Sequence, residues 1–436
     1  MRVSDSYVFD GERSSVLLAS TTWWPSCAKL AVAFVHHGCK VEVVCPSGHP
    51  FEFMSGIRKR YPYRVLDSLG SLCEAMTLSR PDLVIPCDDG VVWQMHELHR
   101  TRPELRPLIE RSLGAPASYE VVASRAKAMQ LAQELGIRVA ETKGIATASD
   151  LRDWFSVPGA LGVMKLDGTC AGKGVQIVSS LAEAEHALAT MHRPPSTVEA
   201  CGRWFAIRDA MALWNWKNHK PPVFTIQKFI TGRPANTMMA CRDGKVLAAV
   251  TVEVLWAQGA TGPASVVRLI ENDEIRMAAE RLAERLQLAG FHGLDFMLED
   301  ETEHAYLIEL NPRCTQLGHL RIEGQGDLAG VLCGASTDAS LLQDHRAVYA
   351  ETIAFFPQAL MSNPRCPYLE SSYIDVPWEE PQLVRELIRR DWRDRRLLVR
   401  LYHAIRPPSR TMVDFEAMVR VREAKPAAPT NVSLES

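Results

Sequence analysis

The sequence predicts an α/β unit over residues 1–118, an α+β body over 119–365, and a helical extension over 366–436. Three observations predict it. Apolar strands alternate with helices through the first 115 or so residues, a spacing that implies a parallel sheet. From Ser124 onward, β runs separated by glycine turns outnumber helices, and one long helix leads into a hairpin. Beyond about residue 365 the chain turns helical and basic, then thins into Pro, Ala, Ser and Thr from Pro407. At 436 residues the chain exceeds one ordinary core, so two or three domains are expected.

In order, Val16–Ser20 reads as a strand, Ala28–His37 as a helix and Lys40–Cys45 as a second strand. Tyr63–Leu66 (strand), Ser68–Leu78 (helix) and Asp82–Pro86 (strand) follow. The first strand runs into TTWWPS instead of a GxGxxG turn, which argues against a nicotinamide-binding domain. Asp88, Asp89 and Gly90 stand at the carboxyl edge of a strand, where open α/β sheets bind ligands; a helix N-cap for Val91–Leu98 explains them equally well. Ser124–Leu135 is a Ser-capped amphipathic helix closed by Gly136. A strand over IRVAETKGI, a helix over Ser149–Phe155, two β runs around a glycine-rich turn and a helix over Leu181–Thr190 come next. Met191–Pro222 is an insertion rich in tryptophan (Trp204, Trp214, Trp216), read as a core-packed aromatic helix or, less simply, a lid. Phe224–Phe229, Thr237–Cys241 and Val246–Val254 are strands, the last two joined by an Arg-Asp-Gly-Lys hairpin turn. Asp273–Leu288 is a long helix.

Bulk properties exclude some partners. A formal net charge of −3 gives no electrostatic reason for nucleic acid or an anionic membrane as partner. No 18-residue apolar run calls for a transmembrane helix, and the polar opening MRVSDSYVFDGERSS lacks a signal-peptide core. The 11 cysteines are scattered without a CxxC pair, the pattern of reduced thiols in a cytoplasmic protein.

The chemistry concentrates in FHGLDFMLEDETEHAYLIELNPR, residues 291–313. Two apolar runs flank an acidic turn, so they form a hairpin or neighbouring strands. Glu309 and Asn311, two apart, share a face, and Asp295 on the adjacent strand reaches the same spot. Three oxygen ligands beside Arg313 suit Mg2+, which completes its octahedron with water and phosphate oxygens. A solvated strand pair is the competing explanation, and Glu309 inside YLIEL argues against it. Gly168, Gly172, Lys173 and Gly174 sit in a turn that brings backbone N–H groups close to phosphates, yet the spacing is not that of a P-loop. Lys165 lies in the apolar strand before that turn and needs a partner, a nucleotide phosphate or a buried carboxylate. Gln227, Lys228, Phe229 and Ile230 close another strand and can offer backbone polar groups to an adenine edge.

Taken in this order, these residues resemble the ATP-grasp superfamily over roughly Ser124–Leu320. IELNPR is close to the IEMNPR of its carbamoyl-phosphate-synthetase-like members. The resemblance implies a Rossmann-like domain ahead of the ATP-grasp domain, with a lid subdomain over about 137–230. It implies Asp295, Glu309 and Asn311 as metal ligands and Arg313 as the phosphate-side arginine. Lys165 then contacts the α/β-phosphates, Gly168–Gly174 forms the lid, Gln227–Ile230 the adenine hinge, and Arg125 takes the basic position opening its helix. Thr261-Gly262 resembles a short TG-x-S motif of synthetase-like members. Two positions depart from the pattern: Pro234 and Ala235 stand where an acidic residue holds the ribose, and no Asp precedes Arg125.

The implied cofactors are ATP and two Mg2+ ions, with Mn2+ as the alternative. The implied reaction joins a small-molecule carboxylic acid to an amine or amino acid through an acyl phosphate, releasing ADP and phosphate. Bicarbonate activation and nucleotide binding without turnover are the alternatives. No nucleic acid or membrane partner is expected, and a homodimer is compatible. Gln316, His319 and Arg321, the 88–90 corner and the Arg268 region are the candidate substrate contacts, each equally readable as an ordinary surface residue.

Overall fold

The computed structural model describes residues 14–167, 174–191, 197, 223–258, 262–322, 326–334, 348 and 350–389. Its N-terminal unit is a four-stranded parallel sheet in the order β3-β2-β1-β4, with β1 Ser15–Ala19, β2 Lys40–Cys45, β3 Lys59–Pro62 and β4 Leu83–Pro86. Helix α1 (Pro25–His36) starts at a proline, whose fixed φ suits the first turn, and covers one face. Helices α2 (Ser68–Ser79), α3 (Asp89–Thr101) and α4 (Arg106–Leu113) cover the other, where Leu17, Val84, Leu72, Met95 and Ile109 pack together. The strand expected over Tyr63–Leu66 is displaced: β3 lies at Lys59–Pro62, and Val65–Asp67 form a 3₁₀ turn. As an edge strand β3 buries only Tyr61, so Lys59 and Arg60 gave it no apolar signature.

A short α5 (Tyr119–Val122) and α6 (Arg125–Glu134) lead into a second, four-stranded antiparallel sheet. Its order is β5-β8-β6-β7, with β5 Thr142–Ile145, β6 Gly162–Leu166, β7 Val175–Val178 and β8 Phe224–Lys228. Helices α7 (Ala148–Trp154) and α8 (Leu181–Met191) close its small core around Leu151, Met164, Val178, Phe224 and Ile226. Only Thr142–Ile145 of the expected IRVAETKGI strand belongs to this sheet. Val139 instead bridges to Leu307, so the chain is tied to the main body before it enters the second sheet. The Trp-rich insertion lies outside the described residues apart from Met191 and Thr197.

The third sheet has seven strands in the order β13-β12-β9-β10-β11-β16-β17. Strands β9 (Gly232–Arg242) and β10 (Lys245–Ala257) are its long centre, joined through Asp243 and Gly244, both at positive φ as a tight hairpin requires. Strand β11 is Ala264–Leu269; helix α9 (Asp273–Leu286) then covers one face through Ile275, Ala279 and Leu282. Strands β12 (Gly290–Glu299) and β13 (Ala305–Asn311) form the terminal hairpin, followed by the small pair β14 (Arg321–Ile322) and β15 (Gly326–Asp327) and by α10 (Leu328–Leu332). The opposite face, with Met238, Val250, Val252 and Val266, shares one continuous core with α1 and the N-terminal sheet.

The segment after 365 supplies a strand as well as helix. After β16 (Thr352–Ala354) and α11 (Gln358–Ser362), β17 (Tyr373–Ile374) pairs in parallel with β16. Helix α12 (Pro381–Ile388) then packs against the Pro50–Phe53 turn of the N-terminal unit. The remainder of the expected helical extension lies outside the described residues. Among the described residues no helix is long and apolar enough to cross a membrane.

Candidate active site

The β12–β13 hairpin sets the site's geometry. Its register places Asp295 opposite Glu309 and Gly293 opposite Asn311, so the three polar side chains share a face. Between Asp295 and Phe296 the register slips by one, and Ile308 is the extra residue on β13. That bulge turns the Ile308 carbonyl toward the second sheet, where it accepts from Lys165 Nζ at 3.4 Å and Gln227 Nε2 at 3.2 Å. Lys165 thus arrives from β6 and Gln227 from β8, both buried, on one main-chain oxygen beside Glu309.

Asp295 is gripped from both sides. Asn236 on β9 donates to its Oδ1 at 2.6 Å and Asn311 to its Oδ2 at 3.1 Å. Burial and the facing Glu309 push its carboxyl up to about 6. Burial acts the same way on Glu309, but Arg125, Lys165 and Arg313 outweigh it and hold that carboxyl low. Arg125, opening α6, forks between Glu309 Oε1 at 2.6 Å and Asp167 Oδ1 at 2.7 Å. Burial pulls the Lys165 ammonium down to about 8, against the partial support of Glu309. Two adjacent acids pushed apart in pKa within a ring of cations mark a site built to hold concentrated charge.

Arg313 closes the ring on the N-terminal side. Its Nε donates to Asp89 Oδ1 at 2.9 Å and its Nη2 to Asn311 Oδ1 at 3.2 Å. Asp88 takes the capping role: it accepts from Val91 N at 3.1 Å, Thr21 N at 2.6 Å, Thr21 Oγ1 at 2.9 Å and Ser20 Oγ at 3.0 Å. The two neighbouring aspartates therefore divide, one fastening the helix and the other reaching into the site.

The structure brings together Arg125, Lys165, Gln227, Asp295, Glu309, Asn311 and Arg313. Gly168, Gly172, Lys173 and Thr261 lie outside the described residues. Gly174 sits at φ 75° and its carbonyl closes the β6–β7 hairpin on Leu166 N. In the expected hinge, Lys228 N–H is committed to Glu141 and Phe229 N–H to Leu161, while Ile230 is buried. Gln316, His319 and Arg321 are bound into the scaffold: Gln316 Nε2 donates to the Ala264 carbonyl at 3.1 Å, His319 Nε2 pairs with Asp375 at 2.8 Å, and Arg321 Nε stands 3.8 Å from Asp327. Arg268 pairs with the buried Glu253.

Asp167 and Asn236 escaped the sequence reading. Both carried a signal: Asp167 is two residues past Lys165, just beyond the end of β6, and Asn236 is a lone amide before the apolar run Met238–Ala240. Among the described residues no three His, Cys, Asp or Glu side chains converge in metal-holding geometry. The donor set here is two carboxylates and an amide, and the proximity of Glu309 that raises Asp295 is what a divalent cation would relieve, so these residues fit such an ion.

Residues 204–316 match the family model of an ATP-grasp domain. No curated protein matches the chain. Among solved structures, N5-carboxyaminoimidazole synthase from Aspergillus clavatus, in complex with ADP and its ribonucleotide, superposes with a TM-score of 0.54 at 14% identity, covering 75% of this chain and 78% of that one. An N5-carboxyaminoimidazole ribonucleotide synthetase bound to ADP gives 0.52 at 13% identity, covering 74% and 78%. Biotin carboxylase from Campylobacter jejuni gives 0.52 at 12%, covering 74% and 72%. These likenesses are likenesses of fold.

Proposed function

We propose that this chain, which carries an ATP-grasp domain in an ATP-grasp fold, is an ATP-dependent ligase that joins a carboxylic acid to an amine or amino acid. The observation that carries the proposal is the ring of Arg125, Lys165 and Arg313 around Asp295, Glu309 and Asn311, at the junction of all three sheets. Such a ring stabilises phosphoryl transfer, in which positioning and charge do the catalysis and no covalent nucleophile is needed.

In this reading Asp295, Glu309 and Asn311 hold Mg2+ (two ions, or Mn2+ in its place). A divalent ion held by these residues would supply positive charge against that developing on the transferring phosphoryl group. Lys165 steadies the α/β-phosphate oxygens and Arg313 the transferring group. Gln227–Ile230 flank the adenine. Arg125 pairs with Glu309 in the free protein, and a metal on that carboxylate would need this pair to open. The acid's oxygen attacks the γ-phosphorus and ADP leaves; the amine then attacks the acyl carbon and phosphate leaves, giving an amide.

The test is phosphate release from ATP–Mg2+ by the purified protein against acids and amines offered singly and in pairs, with bicarbonate among the acids. Release only with one acid–amine pair, lost in Glu309→Ala, supports the ligase and names its substrates. Release with bicarbonate alone moves the protein to bicarbonate activation. Tight ADP binding with no turnover across the panel favours a nucleotide-binding protein, the reading that Pro234 in the ribose position suits.

A further inference from the structure

Far from the phosphate ring, two thiols face each other across the N- and C-terminal parts of the chain. Cys39 lies between α1 and β2, and Cys333 caps the C-terminus of α10. Their Sγ atoms are 2.6 Å apart although the residues are 294 positions apart in sequence. That is nearer than two unbonded sulfurs pack, and a small side-chain rotation from the bonded distance of about 2.05 Å.

The surroundings hold both cysteines in register. Ser14 Oγ donates to the Cys333 carbonyl at 3.1 Å, and Arg242 donates to the carbonyls of Val331 and Leu332 at 3.3 and 3.1 Å. His37 Nε2 meets Asp327 Oδ2 at 2.6 Å, fixing the start of α10 to the end of α1. Cys39 N–H is bonded to the Phe34 carbonyl. Cys39 is buried and Cys333 half-buried.

We propose that Cys39 and Cys333 form an intramolecular disulfide on exposure to a small-molecule disulfide, a reversible modification that ties α10 to the N-terminal sheet. Either thiol can donate to the other; with Cys333 donating, the Cys39 thiol is held below its ordinary value, which favours Cys39 as the attacking thiolate. The Cys39 thiolate attacks one sulfur of the small disulfide, forming a mixed disulfide and releasing one small thiolate. Cys333, losing its proton to solvent, then attacks Cys39 Sγ and displaces the second. One small disulfide is reduced to two thiols as the protein's two thiols are oxidised.

The closure fastens more than one helix turn. Strands β14 and β15 lead from the loop after Arg313 into α10, so the cross-link anchors the far end of the segment that leaves the phosphate ring. Helix α10 also packs on β9, the strand that carries Asn236.

Oxidised glutathione is the probe, applied to the full chain under native conditions, with intact mass and trypsin mapping under non-reducing conditions. Tryptic peptides 30–40 and 322–346 each contain a single cysteine, so their covalent pair identifies the bond without ambiguity. The expected result is loss of two hydrogens, no retained glutathione, recovery of the 30–40/322–346 pair, and reversal by dithiothreitol. Cys333→Ser is expected to stop at a Cys39–glutathione adduct, and Cys366→Ser to form the cross-link as the parent does. Should Cys333→Ser fail to fold, differential alkylation of the unsubstituted chain decides alone: Cys39 and Cys333 must be lost together before the other thiols. Independent loss of the two, stable glutathione adducts on the parent, or cross-links between other cysteines overturn the proposal.

Discussion

Asn236 fixes the direction of Asp295 by holding its Oδ1 at 2.6 Å. A metal-ligand carboxylate is only as well placed as the group that orients it. Asn236→Ala is therefore expected to raise the Mg2+ concentration for half-maximal turnover by about 10-fold or more, with kcat at saturating Mg2+ less affected. An unchanged Mg2+ requirement, in a variant that melts as the parent does, would remove Asp295 from the ligand set. Lys165 gives a second test through pH. Burial lowers its ammonium to about 8 in the free protein, and a bound phosphate favours the charged form. In the proposed function nucleotide binds the protonated lysine, so ADP affinity should be flat below pH 8 and weaken by about tenfold per unit above it, as binding takes up one proton. Calorimetric titration of ADP from pH 6.5 to 9.5 measures this, and Lys165→Gln should lose the pH step. A step retained in the variant assigns the titration to another group.

At the scale of elements, the hairpin β12–β13 was legible because its polar residues interrupt strongly apolar runs at even spacing. Asp295, Glu309 and Asn311 announce themselves against Phe296, Leu307 and Leu310. The bulge at Ile308 was not legible, since the extra residue is as apolar as its neighbours and only pairing reveals the slip. Strands β9 and β10 were expected to be shorter than they are. Arg233, Pro234 and Asn236 fall outside the expected strand Thr237–Cys241, whereas β12 pairs with every one of them and supplies the hydrogen bonds that define the strand. Asp88 and Asp89 were ambiguous for a like reason: only the tertiary position of Arg313 separates the cap from the site residue. Gly232, where β9 leaves the proposed adenine hinge, shows how tight that pairing is. A Cβ there would lie 2.0 Å from the Leu298 carbonyl oxygen, a main-chain atom with no rotamer to move. Gly232→Ala is expected to destabilise the fold by about 1–3 kcal/mol and to weaken ADP binding as the strands part. Urea unfolding alongside ADP titration checks both, and a variant with parental values for each would show that the strand end yields freely.

For the whole molecule, the order of the units was legible from the alternation of strands and helices, but not how the ends are woven together. Lys29 of α1 is buried against Asp375 of the C-terminal segment, which also takes His319 from the loop after Arg313, and Glu380 caps Ser55. Each of these residues looks like a solvent-facing polar group in a linear reading, because the partner that makes it buriable lies 56 to 346 positions away. The same burial has a consequence for acid stability. His49, in the turn beside α1, and His292, in β12, are fully enclosed, and burial holds both imidazoles down to about 3. In the unfolded chain each titrates near 6.5, so between pH 6.5 and 3 the unfolded state binds more protons and stability falls as pH falls. Each histidine removes about 1.4 kcal/mol per pH unit in that window. Asp295 works in the opposite sense, since its raised carboxyl makes the folded state the better proton acceptor between about 6 and 3.8. Two histidines outweigh that one carboxyl, and the contribution of His292 can be isolated by His292→Met, which fills the same apolar slot without a titrating group. Urea midpoints at pH 7 and pH 5 are expected to give the variant a stability loss about 2 kcal/mol smaller than the parent's over that interval. Parallel losses in the two proteins would mean that His292 is protonated where it stands, and that the interior face of β12 admits water the packed core gives no room for.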